Sequence, residues 1–355
     1  MYLQLKEYVL ERIKSGQSND RLPSISELIK RYHVSLSTIN RMLFALEKEG
    51  LIERRRGKGI FIAGRDGEIA LEQGTGGREI LFAYPRYFSH FIFRLTEHVH
   101  MAASQFTLRP VELKKDTDYE IISDIIAKSS GIAAVFVLPA QQISIAQLAE
   151  FNAAGIPFVF FNEVNAEGLT NIRIVCPDYE ASASRALQYL IDSGHTDIAY
   201  IGNEPEAEET RIRERTIRRI FSEHGISPDL MDRAHRIRPW DSALLAGYVR
   251  TKELITSHRP SAVIYDSASG AAGALRAYAE AGIRVPEDVS IIADGGEGDS
   301  DQYAYTVPGI TAMAARYDDL ARTAFRAVAG GEHITRIASV LCERSSTAAV
   351  PVSVP

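Results

Sequence analysis

Between residues 79 and 293, short apolar runs alternate with stretches long enough for helices, and few folds accept that alternation. Residues 80–84, 132–138, 157–161, 198–201, 262–265 and 289–293 read as strands, each nearly all apolar and too short for a buried helix. The stretches 91–104, 144–154, 179–193, 209–224 and 243–257 read as helices. Strands that are apolar on both sides need cover on both faces. Strand–helix repeats supply it by forming parallel sheets with helices above and below. The expected class is therefore α/β. A body of about 275 residues is long for one such sheet, so two lobes with a cleft between them are expected.

In folds of this kind ligands bind at the loops that follow the strands. Those loops carry His90 and Phe91 (after Ser89), Asn162 and Glu163, Asp178, the Arg211/Arg213 pair, Trp240 and Asp241, Asp266, and Asp294. The run Asp294-Gly295-Gly296-Glu297-Gly298 is rich in glycine but lacks the spacing of a dinucleotide fingerprint. The sequence holds no nucleophile with its base, carboxylate pair in a motif, phosphate loop or metal-ligand cluster that stands out. No enzyme, metal site or cofactor is expected. Two cysteines, Cys176 and Cys342, make neither a disulfide framework nor a ligand set, which suits a reducing cytoplasm. No apolar run reaches the length of about 18 residues that a membrane span requires, and no secretory signal opens the chain.

The net charge of −6 argues against a nucleic-acid partner until its distribution is read. Residues 1–65 carry 13 Lys+Arg and 7 Asp+Glu, a net +6; the remainder carries 27 and 39, a net −12. A basic head on an acidic body is the asymmetry expected when only the head meets phosphate. Leu5, Val9 and Ile13 give a first helix one apolar face. Ser24-Ile25-Ser26-Glu27 has the form of a capping box opening a second helix after Leu22-Pro23. Ser35 caps a third helix, whose apolar side is Ile39, Leu43 and Leu46 and whose outer side offers Ser37, Arg41 and Lys48, flanked by Thr38 and Asn40. Such a face suits a major groove, with Arg41 able to fork onto a guanine edge. A strand at 51–53, a basic turn at 54–59 and a strand at 60–62 then form a two-stranded wing. Arg56, Gly57, Lys58 and Gly59 are its candidate groove and phosphate contacts.

Leu22-Pro23-Ser24, Glu27-Leu28, Val34-Ser35, Ser37-Thr38-Ile39, the run 46–52 and Gly57-Lys58-Gly59-Ile60-Phe61-Ile62 together resemble the winged helix-turn-helix of the GntR regulators over residues 2–63. The resemblance implies a homodimer on a palindromic operator, with contacts from Ser24, Ser26, Ser35, Ser37, Thr38, Asn40, Arg41 and the wing tip. Ser26, Leu36 and Asn40 stand where that family often has arginine, so base preference is expected to differ and Arg41 becomes the leading reader. Residues 64–78 are glycine-rich and polar and read as a linker, leaving 79–355 as the body.

Ser193-Gly194-His195, the following run 198–202, Ala274-Leu275-Arg276-Ala277 and the run 282–292 resemble the effector domain of the LacI/GalR regulators, which shares its fold with periplasmic sugar-binding proteins. That resemblance implies three chain crossings between lobes, near 177, 308 and 342, and hinge closure on a ligand. By position it makes Arg213 the effector-binding arginine and Trp240 the stacking aromatic, with His90, Phe91, Asn162, Asp266 and Asp294 as further cleft positions. Two departures stand out: Ala293-Asp294-Gly295-Gly296 and Tyr265-Asp266-Ser267 each lack a polar residue the family commonly has. Either the ligand is an unusual one or the pocket has decayed. Head and body together resemble the arabinose-responsive repressors. They imply a cytoplasmic, dimeric repressor of carbohydrate-related genes that responds to a small effector such as a sugar. The alternative is a DNA-binding regulator whose body serves only dimerisation or protein interaction.

Overall fold

The computed structural model describes residues 22–23, 27–28, 43, 52–55 and 59–62 of the head. In the body it describes 79–350 apart from 87–88, 104–105, 115–118, 139–142, 228–236, 239–240 and 297–301. The chain divides into two compact units, Met1–Glu72 and Gln73–Pro355.

In the first unit β1 (Ile52–Arg55) and β2 (Gly59–Ile62) pair antiparallel, Ile52 opposite Ile62 and Arg55 opposite Gly59. The amide of Leu22 donates to the carbonyl of Ile60 at 2.8 Å, tying the Leu22-Pro23 step to the returning strand. Leu22, Leu28, Leu43, Ile52 and Ile60 are buried, as the apolar spacing of the head requires. The first strand runs on to Arg55, so Arg54 and Arg55 belong to the ladder and not to the basic turn expected at 54–59. Of the eleven candidate DNA contacts, Gly59 alone is described, at the end of that ladder; the other ten lie outside the described residues.

The second unit holds two sheets. The six-stranded sheet runs β12-β7-β6-β5-β3-β4, all parallel: β3 Glu79–Pro85, β4 Thr107–Leu113, β5 Ile132–Val137, β6 Phe158–Phe160, β7 Ile172–Pro177 and β12 Ile334–Ile337. The five-stranded sheet runs β13-β11-β10-β9-β8, with β8 Ile198–Ile201, β9 Ala262–Tyr265, β10 Ser290–Asp294, β11 Thr311–Ala314 and an antiparallel edge strand β13 Val340–Cys342.

Helices α1 (His90–Ala102), α2 (Glu120–Lys128) and α3 (Ile145–Ala153) belong to the first lobe, and α4 (Tyr179–Asp192), α5 (Glu208–His224), α6 (Ala243–Ser257) and α7 (Ala268–Glu280) to the second. Helix α8 (Tyr317–Val328) returns to the first lobe, where Phe325 meets Phe136 edge-on at 5.0 Å. Each lobe is built on the apolar runs that mark its strands. Ile198, Tyr200, Ile264 and Ile292 pack against α4 and α5 on one face of the second sheet. Ala199, Val263, Tyr265 and Ile291 pack against α7 on the other. Side chains on alternate sides of each strand thus enter separate cores, as the two-residue period of a strand demands.

The chain passes between the sheets at three places: after Pro177, between Ala314 and Tyr317, and between Ile337 and Val340. The second passage follows the expected position of 308 because β11 joins the second sheet first. The third precedes 342 because β13 is already part of that sheet by Val340. Strands β4, β7, β11, β12 and β13 and helices α2, α7 and α8 were not among the elements read from the apolar alternation.

Candidate functional site

The loops after the parallel strands, from both lobes, line one cleft of about 1460 Å³. It is lined by His90, Phe91, Asn162, Arg213, Asp266 and Asp294, six of the seven body positions singled out in the sequence; Trp240 lies outside the described residues.

Arg213 is the centre of this arrangement. Helix α5 buries the face formed by Thr210, Arg213, Thr216, Ile217, Ile220 and Phe221, a spacing of three and four that places the arginine in line with the apolar contacts. An arginine at the cleft end of such a stripe needs partners, because an unpaired buried charge is strongly disfavoured. The partners come from two strand ends. Arg213 Nη2 lies 2.7 Å from Asp294 Oδ2, at the end of β10, and Nη1 lies 3.6 Å from Asp266 Oδ1, just after β9. The guanidinium also stands 5.1 Å from the centre of the Tyr179 ring. Burial works against its charge, but Asp294 and then Asp266 outweigh it and raise the pKa further. Ser182 donates to Asp294 Oδ1 at 2.7 Å, and the Tyr200 hydroxyl donates to Asp266. The guanidinium is held in place, yet its Nε and Nη1 have no hydrogen-bond partner.

Among the described residues, a hydrogen bond and a ring contact join the two lobes across the cleft. Asn162 Nδ2, after β6 of the first lobe, donates to Glu209 Oε1 in the first turn of α5 at 2.7 Å, while Asn162 Oδ1 is buried without a partner. His90, at the start of α1, meets Tyr303 of the second lobe edge-on at 5.5 Å. Phe91 instead packs within its own lobe, 5.5 Å from the Tyr317 ring.

Sequence reasoning missed Glu204, Glu209 and Tyr179. Glu204 follows β8 and is pushed up to about 7, chiefly by burial, against a hydrogen bond from Ser267 that favours its charge. Glu209 is also raised by burial. A signal for Glu209 existed: it lies four residues before Arg213, on the same side of α5. Among the described residues no group of His, Cys, Asp or Glu is placed to hold a metal ion, and no helix is long and apolar enough to cross a membrane.

Residues 1–62 match the gntR family of bacterial regulatory proteins, and residues 187–347 match the periplasmic binding protein-like domain. The chain joins a GntR-family head to a periplasmic-binding-protein-like body. The GntR-type head accounts for the paired wing strands, and the body accounts for the two parallel-sheet lobes and the cleft at their strand ends.

Among relatives, the transcriptional repressor MelR of Bacillus subtilis is 32% identical over 123 residues, 34% of this chain and 36% of the relative. The arabinose metabolism transcriptional repressor of Geobacillus stearothermophilus is 25% identical over 206 residues, 56% of this chain and 55% of the relative. The chain thus spans about a third to a half of the length of these two proteins. The match to the transcriptional regulator GalR of Streptococcus thermophilus is longer, 27% identical over 316 residues and covering 85% of this chain and 91% of the relative. Among solved structures, the LacI family transcriptional regulator CCPA from Weissella paramesenteroides, with bound glucose, superposes with a TM-score of 0.66 at 19% identity. It covers 77% of this chain and 99% of its own, a likeness of fold.

Proposed function

We propose that this chain is a cytoplasmic transcriptional repressor, not an enzyme. In this reading its GntR-type head binds a palindromic operator as a homodimer, and its body binds a sugar-like effector in the cleft between its lobes. The observation that carries the effector half is Arg213, a residue of the cleft lining that is 8% exposed and fixed by two carboxylates, with its buried Nε and Nη1 making no hydrogen bond. A guanidinium so held can fork onto neighbouring hydroxyls of a polyol. The relatives named for arabinose metabolism and as GalR and MelR support a carbohydrate effector.

The mechanism is a coupling of equilibria. An effector that touches both lobes favours one lobe arrangement over another by its difference in affinity for the two. Asn162–Glu209 and His90–Tyr303 are the lobe-to-lobe contacts such a ligand would reinforce or replace. In a dimer, a change in lobe arrangement alters how two heads meet an operator, and the coupling is reciprocal by thermodynamic necessity. The ion pairs of Arg213 favour the second reading, a sealed body kept only for dimerisation. Against it, a core sealed for structure alone satisfies its buried donors, and Nε and Nη1 of Arg213 are not satisfied.

The DNA half is tested at Arg41 and Lys58, both outside the described residues. Arg41→Ala is expected to weaken binding to the selected operator by about 1–3 kcal/mol and to relax preference at one base pair. Lys58→Ala should weaken all duplexes alike and reduce the salt slope by about 1. Binding titrations on operator and random duplexes distinguish the two. Equal loss on both duplexes for Arg41→Ala would remove it from base readout.

A further inference from the structure

The cleft is acidic in a way its role as an effector site does not by itself require. Among the described lining residues ten are Asp or Glu and four are Arg. All four arginines are already ion-paired: Arg213 with Asp294, Arg215 with Glu208, Arg219 with Glu223 and Arg336 with Glu163. The donors Arg213 keeps without a hydrogen bond lie beside the carboxylates of Asp266 and Asp294.

Two of the helix starts at the cleft, the other common anion sites, are also taken. Asp178 caps α4, accepting from the Ala181 amide at 2.9 Å, and the first turn of α5 holds Glu208 and Glu209. A phosphate arriving at either start would meet a carboxylate. Like charges at such a distance repel, and the low-dielectric walls of a cleft strengthen the effect.

What the inner cleft lacks is a donor on one side and an acceptor on the other. Glu204 and Glu209 lie close enough that the charge of Glu209 adds to the upward shift of Glu204. Beside Glu209, Asn162 Oδ1 is a buried acceptor without a donor. One turn along α5 from Glu209, Arg213 has a buried Nε and Nη1 that make no hydrogen bond, although Nη1 lies 3.6 Å from Asp266. A ligand that completes both sides carries hydroxyl oxygens toward the arginine and several N–H groups, preferably charged, toward the two glutamates.

We infer that the effector is a polyhydroxylated amine, its hydroxyls accepting from Arg213 and its ammonium lying between Glu204, Glu209 and the Asn162 carbonyl. The same groups disfavour phosphorylated and acidic sugars. This inference rests on the reading of the cleft as an effector site and narrows the ligand class.

The test uses the full-length protein and matched probes in the gluco, galacto and manno series: the hexose, its 2-amino-2-deoxy form and its 6-phosphate. Melting temperature and calorimetric titration are measured for each. In at least one series the amino sugar is expected to bind roughly tenfold more tightly than the hexose, as a charge-assisted hydrogen bond in place of a neutral one implies, and the 6-phosphate should give no shift. Glu209→Gln keeps the acceptor for Asn162 and removes the charge, so it should bring the ratio of amino sugar to hexose affinity down toward one. A hexose or 6-phosphate that binds as well as or better than its amino form overturns the inference while the effector site stands. An unchanged ratio in Glu209→Gln overturns the assigned place of the ammonium. No shift from any probe overturns both the inference and the effector reading.

Discussion

Arg213→Ala is expected to destabilise the body by about 3–5 kcal/mol and to abolish its response to effector. The stability loss follows from what remains: Asp266, 2% exposed, and Asp294 would face each other with no counter-charge, and breaking a buried pair from one side leaves an uncompensated ion. Arg213→Lys separates the two effects. It keeps a positive charge near both carboxylates but loses the planar fork, so it should recover much of the stability and little of the ligand response. Adding Asp294→Asn to Arg213→Ala should likewise restore stability without restoring the response. Thermal denaturation of the three variants, with and without effector, checks both halves. An Arg213→Ala protein that melts like the parent and still responds would remove Arg213 from the site.

The second large effect is expected from packing rather than from charge. Helices α6 and α7 touch backbone to backbone: a Cβ at Gly273 would lie 1.9 Å from the Leu244 carbonyl oxygen, and one at Gly247 would lie 2.1 Å from that of Gly270. Alanine in a free helix is favoured over glycine by about 1 kcal/mol, but here the added methyl must push two main chains apart. The clash is with backbone rather than with a flexible side-chain end, so it outweighs the gain. Gly273→Ala should destabilise by about 2 kcal/mol and lower the melting temperature by roughly 5 °C. The starts of both helices, at Ser242–Leu244 and Ser267–Ser269, line the cleft, so separating the helices should also loosen effector binding. An unchanged or raised melting temperature for Gly273→Ala would contradict this packing.

The strands legible in the sequence share one property. Strands β3, β5, β6, β8, β9 and β10 are almost entirely buried, and a buried strand must be written as an apolar run. Strands β4, β12 and β13 lie at sheet edges and none is wholly buried; β4 even carries Pro110, which an edge tolerates. Their residues carry no such mark. Strand β11 is buried but reads Thr-Ala-Met-Ala, a single β-branched residue followed by three good helix formers, and so is indistinct from helix. Missing β11 and β13 is why the second and third lobe passages were expected a few residues away from where they fall.

The site was legible to a different depth. Arg213 stood out through resemblance and as one of an arginine pair assigned to a strand-end loop; its place on the buried face of α5 emerged only in the fold. Asp266 and Asp294 were marked as positions where the pattern had lost neighbours. Their partnership with Arg213 spans 53 and 81 positions of sequence and could be seen only once three elements met. Glu204 carried no local signal, because a glutamate after a short strand is an ordinary surface residue until burial shows otherwise.

The central claim is that a ligand in the cleft changes how the head holds DNA. The most direct test is the affinity of the whole protein for an operator enriched from random duplexes, measured with and without a saturating effector. Coupling of the kind proposed predicts a change of at least about fivefold, absent in Arg213→Lys. The same affinity with and without a ligand that demonstrably raises the melting temperature would contradict it.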